Sequence, residues 1–346
     1  MVRIGFWGTG STTGVADWHA AAFLQDKRAN LTAVYNRTPA RSERWAARYS
    51  RDIRVCRSEE ELLESCDAVV ICTPNYLHRE QAEEALAAGR HVLLEKPLAC
   101  SESEAQNLQD TARRNRVFGA VGYVYRFAGP VIRMRQILQE EFGSLYTVTA
   151  RLGGIRLANP QIPMEWRMRR EYALAGALYD MGSHLIDTAA FAADEKLTSV
   201  FCRTQTCIRS RPGTAGTEQV ETDDAAVLIG QSEQALYSLL ASRTGPGAMQ
   251  MTVSGDGGTL ELHIGSEIPL RFWKKHRQSG YSAEGMCTVI SGRSQQQEWF
   301  CRQASAFLDG IEGKSAAMAG FAESGYVDRV LRVAMRSAES GQLENV

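Results

Sequence analysis

Between residues 2 and 121, short apolar runs alternate with stretches of helical periodicity, and no other feature restricts the fold as much. Strands are expected at 2–7, 31–35, 67–72, 92–94 and 117–121, and helices at 16–24, 39–49, 59–65, 77–88 and 101–115. Strands and helices alternating at this spacing build βαβ units and a parallel sheet. The run Ala68-Val69-Val70-Ile71-Cys72 has no polar position, as a central strand covered on both faces requires.

After about residue 124 the rhythm changes. A helix is expected at 130–141, then period-two alternation at 145–152, 197–208, 225–229, 235–242, 249–254 and 259–262. Pro212-Gly213 and Gly255-Asp256-Gly257-Gly258 read as turns between these segments. Helices are expected again at 296–312 and 320–340. The expected fold class is α/β, with a doubly wound Rossmann domain over 1–123. A second α/β domain with a large, mostly antiparallel open sheet would span 124–346. A chain of 346 residues has room for two domains at roughly 150 residues each.

Lysine and arginine number 39 against 40 aspartates and glutamates, so no field of one sign points to nucleic acid or an anionic membrane. No apolar stretch nears the roughly 20 residues of a membrane helix, and the start MVRIGFWGTG has no signal-like apolar core. A cytoplasmic location is expected. The eight cysteines form no CxxC pair and no zinc-like spacing, which suits a reducing compartment and argues against a metal site.

Gly8-Thr9-Gly10 follows the first expected strand and precedes the first expected helix. In that setting glycines let backbone N–H groups approach a pyrophosphate at a helix N-terminus. The next glycine is Gly14, after Ser11-Thr12-Thr13, so the loop is about three residues longer than the usual GxGxxG. The second strand ends Tyr35-Asn36-Arg37-Thr38, with Arg41 following. No carboxylate stands where NAD enzymes bind the ribose hydroxyls, whereas an arginine fork suits a phosphate. NADP(H) is therefore favoured over NAD(H). The alternative is that these arginines form only a solvated helix face.

The segments Cys72-Thr73-Pro74-Asn75-Tyr76-Leu77-His78 and Leu94-Glu95-Lys96-Pro97 stand in order with Gly122-Tyr123-Val124-Tyr125-Arg126, Trp166-Arg167 and Asp180-Met181-Gly182-Ser183-His184. Together they resemble the oxidoreductase family named after glucose–fructose oxidoreductase, inositol dehydrogenase and MocA (Gfo/Idh/MocA). The resemblance implies a dinucleotide cofactor between the two domains and a sugar, inositol or related polyol substrate. It also implies a homodimer or homotetramer joined through the second sheet. Thr73, Pro74, Asn75, Leu77 and His78 would line the dinucleotide path, and Glu95, Lys96 and Pro97 would sit beside the nicotinamide. Two departures stand out: the longer glycine loop, and Ala175 where the family has the first of three glycines.

Oxidation of a carbinol needs a group that handles the hydroxyl proton and one that stabilises charge on its oxygen. Asp180 and His184 are spaced i, i+4, which puts them on one face if the segment is helical. His184 is expected to transfer the proton, with Asp180 as its partner and the Lys96 ammonium as an electrostatic clamp. Lys96 as the acid/base itself is the alternative. Arg126, Trp166 and Arg167 are expected to face substrate. Taken singly, an Asp/His pair is more often a helix-surface contact and a Glu-Lys-Pro an ordinary strand end; their joint order carries the functional reading. No third metal ligand accompanies Asp180 and His184, and His19 is expected only to pack. Two further functions fit the same motifs: a dinucleotide-sensing regulator without turnover, and an enzyme that oxidises its substrate transiently with tightly held NAD.

Overall fold

The computed structural model describes residues 1–9, 14–214, 216–245, 247–276, 280–286 and 293–346. Two units divide the chain: Met1–Phe127 with Arg293–Asp328, and Ala128–Gly292 with Arg329–Val346.

The first unit follows the expected alternation. It runs β1 (Val2–Trp7), α1 (Val15–Gln25), β2 (Ala29–Tyr35), α2 (Pro39–Ala46), β3 (Arg54–Val55), α3 (Glu59–Glu64), β4 (Ala68–Ile71), α4 (His78–Ala87), β5 (His91–Leu94), α5 (Glu102–Asn115) and β6 (Gly119–Val121). The six strands pair in parallel in the order β3-β2-β1-β4-β5-β6. Every residue of β4 is buried, which accounts for its apolar run. Helix α5 starts with a capping box in which Ser101 and Glu104 bond each other's backbone N–H.

The second unit begins with α6 (Gly129–Glu140) and β7 (Leu145–Gly153), followed by α7 (Arg170–Ala173), α8 (Ala177–Asp180) and α9 (Gly182–Ala193). The strands β8 (Ser199–Gln205), β9 (Ser210–Gly213), β10 (Gly216–Gln219), β11 (Ala225–Gln231), β12 (Leu236–Ser242), β13 (Gln250–Gly255), β14 (Gly258–His263), β15 (Leu270–His276) and β16 (Gly280–Met286) come next. The helices α10 (Arg293–Ile311) and α11 (Phe321–Ser340) and the short β17 (Glu344–Asn345) end the chain. Nine strands make one sheet, ordered β16-β15-β14-β13-β7-β12-β11-β8-β17. Its pairings are antiparallel except β7 with β12. Helices α6 and α9 pack on one face. The other face carries Val227, Ile229, Leu236 and Leu240, all exposed.

The α/β class and both sheet types are as expected. The strands β3, β9, β10, β15, β16 and β17 go beyond the expected set, and Pro212-Gly213, read as a turn, lies within β9. The division at 123/124 differs more. Helix α10 and the start of α11 belong with the first unit, where Phe307 meets Phe23 and Phe118 and a Cβ on Gly119 would overlap the Phe321 ring. Periodicity identifies these helices but says nothing of which core receives their apolar faces.

Candidate active site

In the first sheet the strand order reverses between β1 and β4, so a crevice opens at their carboxyl ends, the usual seat of a nucleotide in such folds. Gly8 lies there with φ +87, and a Cβ on it would come within 2.7 Å of Thr73 Cγ2. Only glycine fits both the conformation and the space. Helix α1 starts after Gly14 in the left-handed region, with no side chain capping it. Among the described residues no side chain serves its first N–H groups, the arrangement that a dinucleotide phosphate suits. Gly10, Ser11 and Thr12 lie outside the described residues.

Asn36, expected along the cofactor, reaches the glycine turn. Its Oδ1 accepts from the Thr9 N–H at 2.8 Å, and its Nδ2 donates to Thr9 Oγ1 and to Ser42 Oγ. It ties the end of β2 to the glycine turn. Arg37, Thr38 and Arg41 are exposed, and among the described residues no carboxylate pairs with either arginine.

On the other side of the crevice, Thr73 donates to Gln81 Oε1. Pro74 and Leu77 are not buried, whereas Asn75 is. His78 is buried, with Nδ1 2.6 Å from the Pro97 carbonyl and Nε2 2.9 Å from the Thr73 carbonyl. It thus links the turn after β4 to the turn after β5. Burial lowers its pKa from 6.5, opposed by the two carbonyl contacts. Glu95 anchors the second turn: its N–H donates to the Ile71 carbonyl, and its carboxylate lies 2.7 Å from His19 Nε2. Lys96 is half-buried, and the bond to Pro97 is cis. Arg126, expected to face substrate, is buried and donates to Glu323 at 2.8 Å.

In the second unit, the segment read as one helix is two. α8 ends at Asp180 and α9 starts at Gly182, while the Leu185 N–H donates to the Met181 carbonyl across the junction. Met181 keeps helical dihedrals, so the turn from Asp180 to His184 is nearly continuous. Both side chains are half-buried, and Asp187 is buried. Trp166 and Arg167 stand on a 3-10 turn, with the guanidinium 4.3 Å from the indole centroid.

Two residues that sequence reasoning passed over hold this segment. Asp223 accepts from the Gly176 N–H at 2.6 Å and the Leu178 N–H at 2.9 Å, bonding the start of α8. Buried Arg243 donates to the Asp223 carbonyl and to the Arg167 carbonyl, joining the α8 turn to the Trp166 turn. A Cβ on Gly176 would lie 1.8 Å from the Asp223 carbonyl oxygen, which explains the glycine. The available signal was positional: Asp223 and Arg243 flank the paired strands β11 and β12, whose register sets Ala225 opposite Ser242.

No helix among the described residues is long and apolar enough to cross a membrane. Residues 2–123 match the model described as "Oxidoreductase family, NAD-binding Rossmann fold", and residues 131–261 the Gfo/Idh/MocA C-terminal domain. The chain is 29% identical over 68% of its length to glucose-6-phosphate 3-dehydrogenase of Bacillus subtilis, spanning 66% of that protein, just under two thirds. It is 26% identical to D-glucoside 3-dehydrogenase of Escherichia coli, over 98% of this chain and 96% of the other. The fold matches levoglucosan dehydrogenase, solved with NADH and levoglucosan, at a TM-score of 0.87 over 100% of this chain and 99% of that one, at 21% identity. With both halves matched in order, the chain belongs to the Gfo/Idh/MocA oxidoreductase family.

Proposed function

We propose that the protein is an NAD(P)-dependent dehydrogenase or reductase acting on a secondary hydroxyl of a sugar or cyclic polyol. The observation that carries this is Lys96 at the carboxyl end of β5, two strands from the glycine turn of a parallel sheet whose order reverses beside it. The nicotinamide, when bound, supplies the hydride chemistry. In this reading His184 exchanges the hydroxyl proton, Asp180 orients it, and the Lys96 ammonium stabilises charge on the substrate oxygen. Trp166 offers an apolar wall stiffened by Arg167. Two relatives are named for the 3-position of glucose derivatives, so the C3 hydroxyl of a glucopyranoside is the first candidate.

NADPH is the proposed preferred cofactor, because Arg37 and Arg41 are exposed and, among the described residues, have no carboxylate partner, and a guanidinium pair suits a ribose phosphate. The exposed apolar row on β11 and β12 supports pairing of two copies through the open sheet. Cross-strand partners Val227 and Leu240, and Ile229 and Leu236 around them, share one face.

A thermal-shift comparison of NADPH with NADH tests the cofactor. At 100 times its dissociation constant a ligand adds about 2.7 kcal/mol, so the preferred one raises Tm visibly. Turnover of a glucoside and polyol panel then tests the reaction. Lys96→Ala and His184→Ala should each lower kcat by about 100-fold or more with cofactor still bound. Wild-type protein that binds neither dinucleotide would end this reading.

A further inference from the structure

We propose that His19 is a positioning residue for the reaction: through Glu95, it holds the Lys96 turn in register with helix α1. The inference rests on the function proposed above. His19 is 1% exposed, and its Nε2 lies 2.7 Å from Glu95 Oε1, across a sequence separation of 76 residues. The other carboxylate oxygen, Oε2, accepts from the Lys96 N–H at 3.3 Å. One carboxylate thus joins the first helix to the backbone of the reactive lysine.

The surroundings leave this pair little freedom. The Phe300 ring meets the imidazole edge-on at 4.9 Å and 89°, and Phe300 also stacks on Trp18 one residue earlier in α1. A Cβ on Gly122 would stand 3.3 Å from Glu95 Oε1, so glycine there makes room for the carboxylate, while the Gly122 N–H donates to the Leu94 carbonyl. Fully buried Gln303 faces the same point from α10, its Nε2 3.8 Å from that position. His19 Nδ1 has no hydrogen-bond partner among the described residues. Nε2 is therefore the ring nitrogen that serves the carboxylate.

A residue that merely packed could be any apolar side chain of this volume. An apolar residue at 19 would instead leave a buried carboxylate without this donor, and the turn would settle elsewhere. The geometry gives His19 a further consequence. Helix α1 follows the glycine turn, so the phosphate end of the crevice and the lysine end share one stiff connection. Loss of that connection displaces Lys96 without removing it, and displacements of about 1 Å cost reactions roughly 100-fold.

The test uses full-length protein and the variants His19→Leu, His19→Gln and Glu95→Gln. Leucine keeps the bulk and removes the donor, whereas a glutamine amide can still donate to Glu95. The readouts are dissociation constants for NADPH and NADH, the fluorescence lifetime of the bound reduced cofactor, Tm, and kcat where a substrate is found. The expected result is a changed lifetime in His19→Leu and Glu95→Gln and kcat down by roughly tenfold or more, with cofactor affinity held within about threefold in His19→Leu. His19→Gln should return both lifetime and kcat towards wild type. A His19→Leu or Glu95→Gln protein with wild-type lifetime and kcat overturns the proposal. So does a His19→Gln variant as impaired as His19→Leu, since the donor would then be irrelevant. Wild-type protein that binds neither cofactor refutes the underlying function and this inference with it, an outcome separate from variants that bind but do not differ.

Discussion

Lys96 and His184 are held by opposite strategies. Lys96 sits at the end of β5, and the hydrogen-bonded register of a six-stranded sheet sets its height in the crevice. His184 follows a run of short pieces, α7 and α8 having four residues each, with Leu174 at φ +63 between them. Helices this short have no independent stability. Side chains from two strand ends, Asp223 and Arg243, supply what regular structure does not. Strand-end sites draw precision from the backbone of the whole sheet. A segment held by side chains from neighbouring strand ends, Glu221 at the start of α7 among them, depends on those contacts.

The difference predicts where distant substitutions matter. Asp223→Ala should have the largest effect, because two buried N–H groups lose their acceptor, at about 4 kcal/mol together. Chemical denaturation should register that loss, and kcat should fall while NADPH affinity stays unchanged. Unaltered turnover would mean that the segment holds its shape without the clamp. Gly176→Ala comes next, at about 3 kcal/mol, since its Cβ would meet the Asp223 carbonyl and force the backbone to shift. Gly8→Ala should cost about 2 kcal/mol through its positive φ and the Thr73 contact. Its signature is reversed: weakened dinucleotide binding by titration, with the second unit's thermal transition unmoved.

The smallest effect is on pH dependence. Burial lowers the pKa of His78 and His91 below 6.5, so the unfolded chain takes up protons first as pH falls. Stability is fully present above that pH and declines below it, down to the depressed folded values. Tm should fall as pH drops below about 6.5, and His78→Gln should flatten the decline. An unchanged slope would assign it to other groups.

Much of the first unit was legible because its strands are apolar throughout and its helices follow the 3.6 period. The glycine turn, the Glu-Lys-Pro turn and the Asp/His spacing all stand in contiguous sequence. What escaped depends on residues far apart in the chain. His19 reads as one more position on a helix of alanines and aromatics, and only the fold brings it to Glu95. Asn36 ends β2, and only the fold brings its amide to Thr9 and Ser42. The pairing of Arg126 with Glu323 likewise spans residues far apart in the chain. Strands β15 and β16 hid among charged and small residues, which alternate too weakly to mark a buried face.

The return of α10 has a consequence for biosynthesis. A ribosome finishes residues 1–127 long before it adds 293–328, which complete the same core. Until then Phe23 and Phe118 lack Phe307, and Gly119 lacks the Phe321 ring beside it. The nascent first 127 residues therefore keep an apolar flank uncovered while every strand of the second sheet except β17 is being made. That interval is when a chaperone or a neighbouring chain has most access to it. A fragment cut at residue 127 would carry the glycine turn and Lys96 but keep that flank permanently bare.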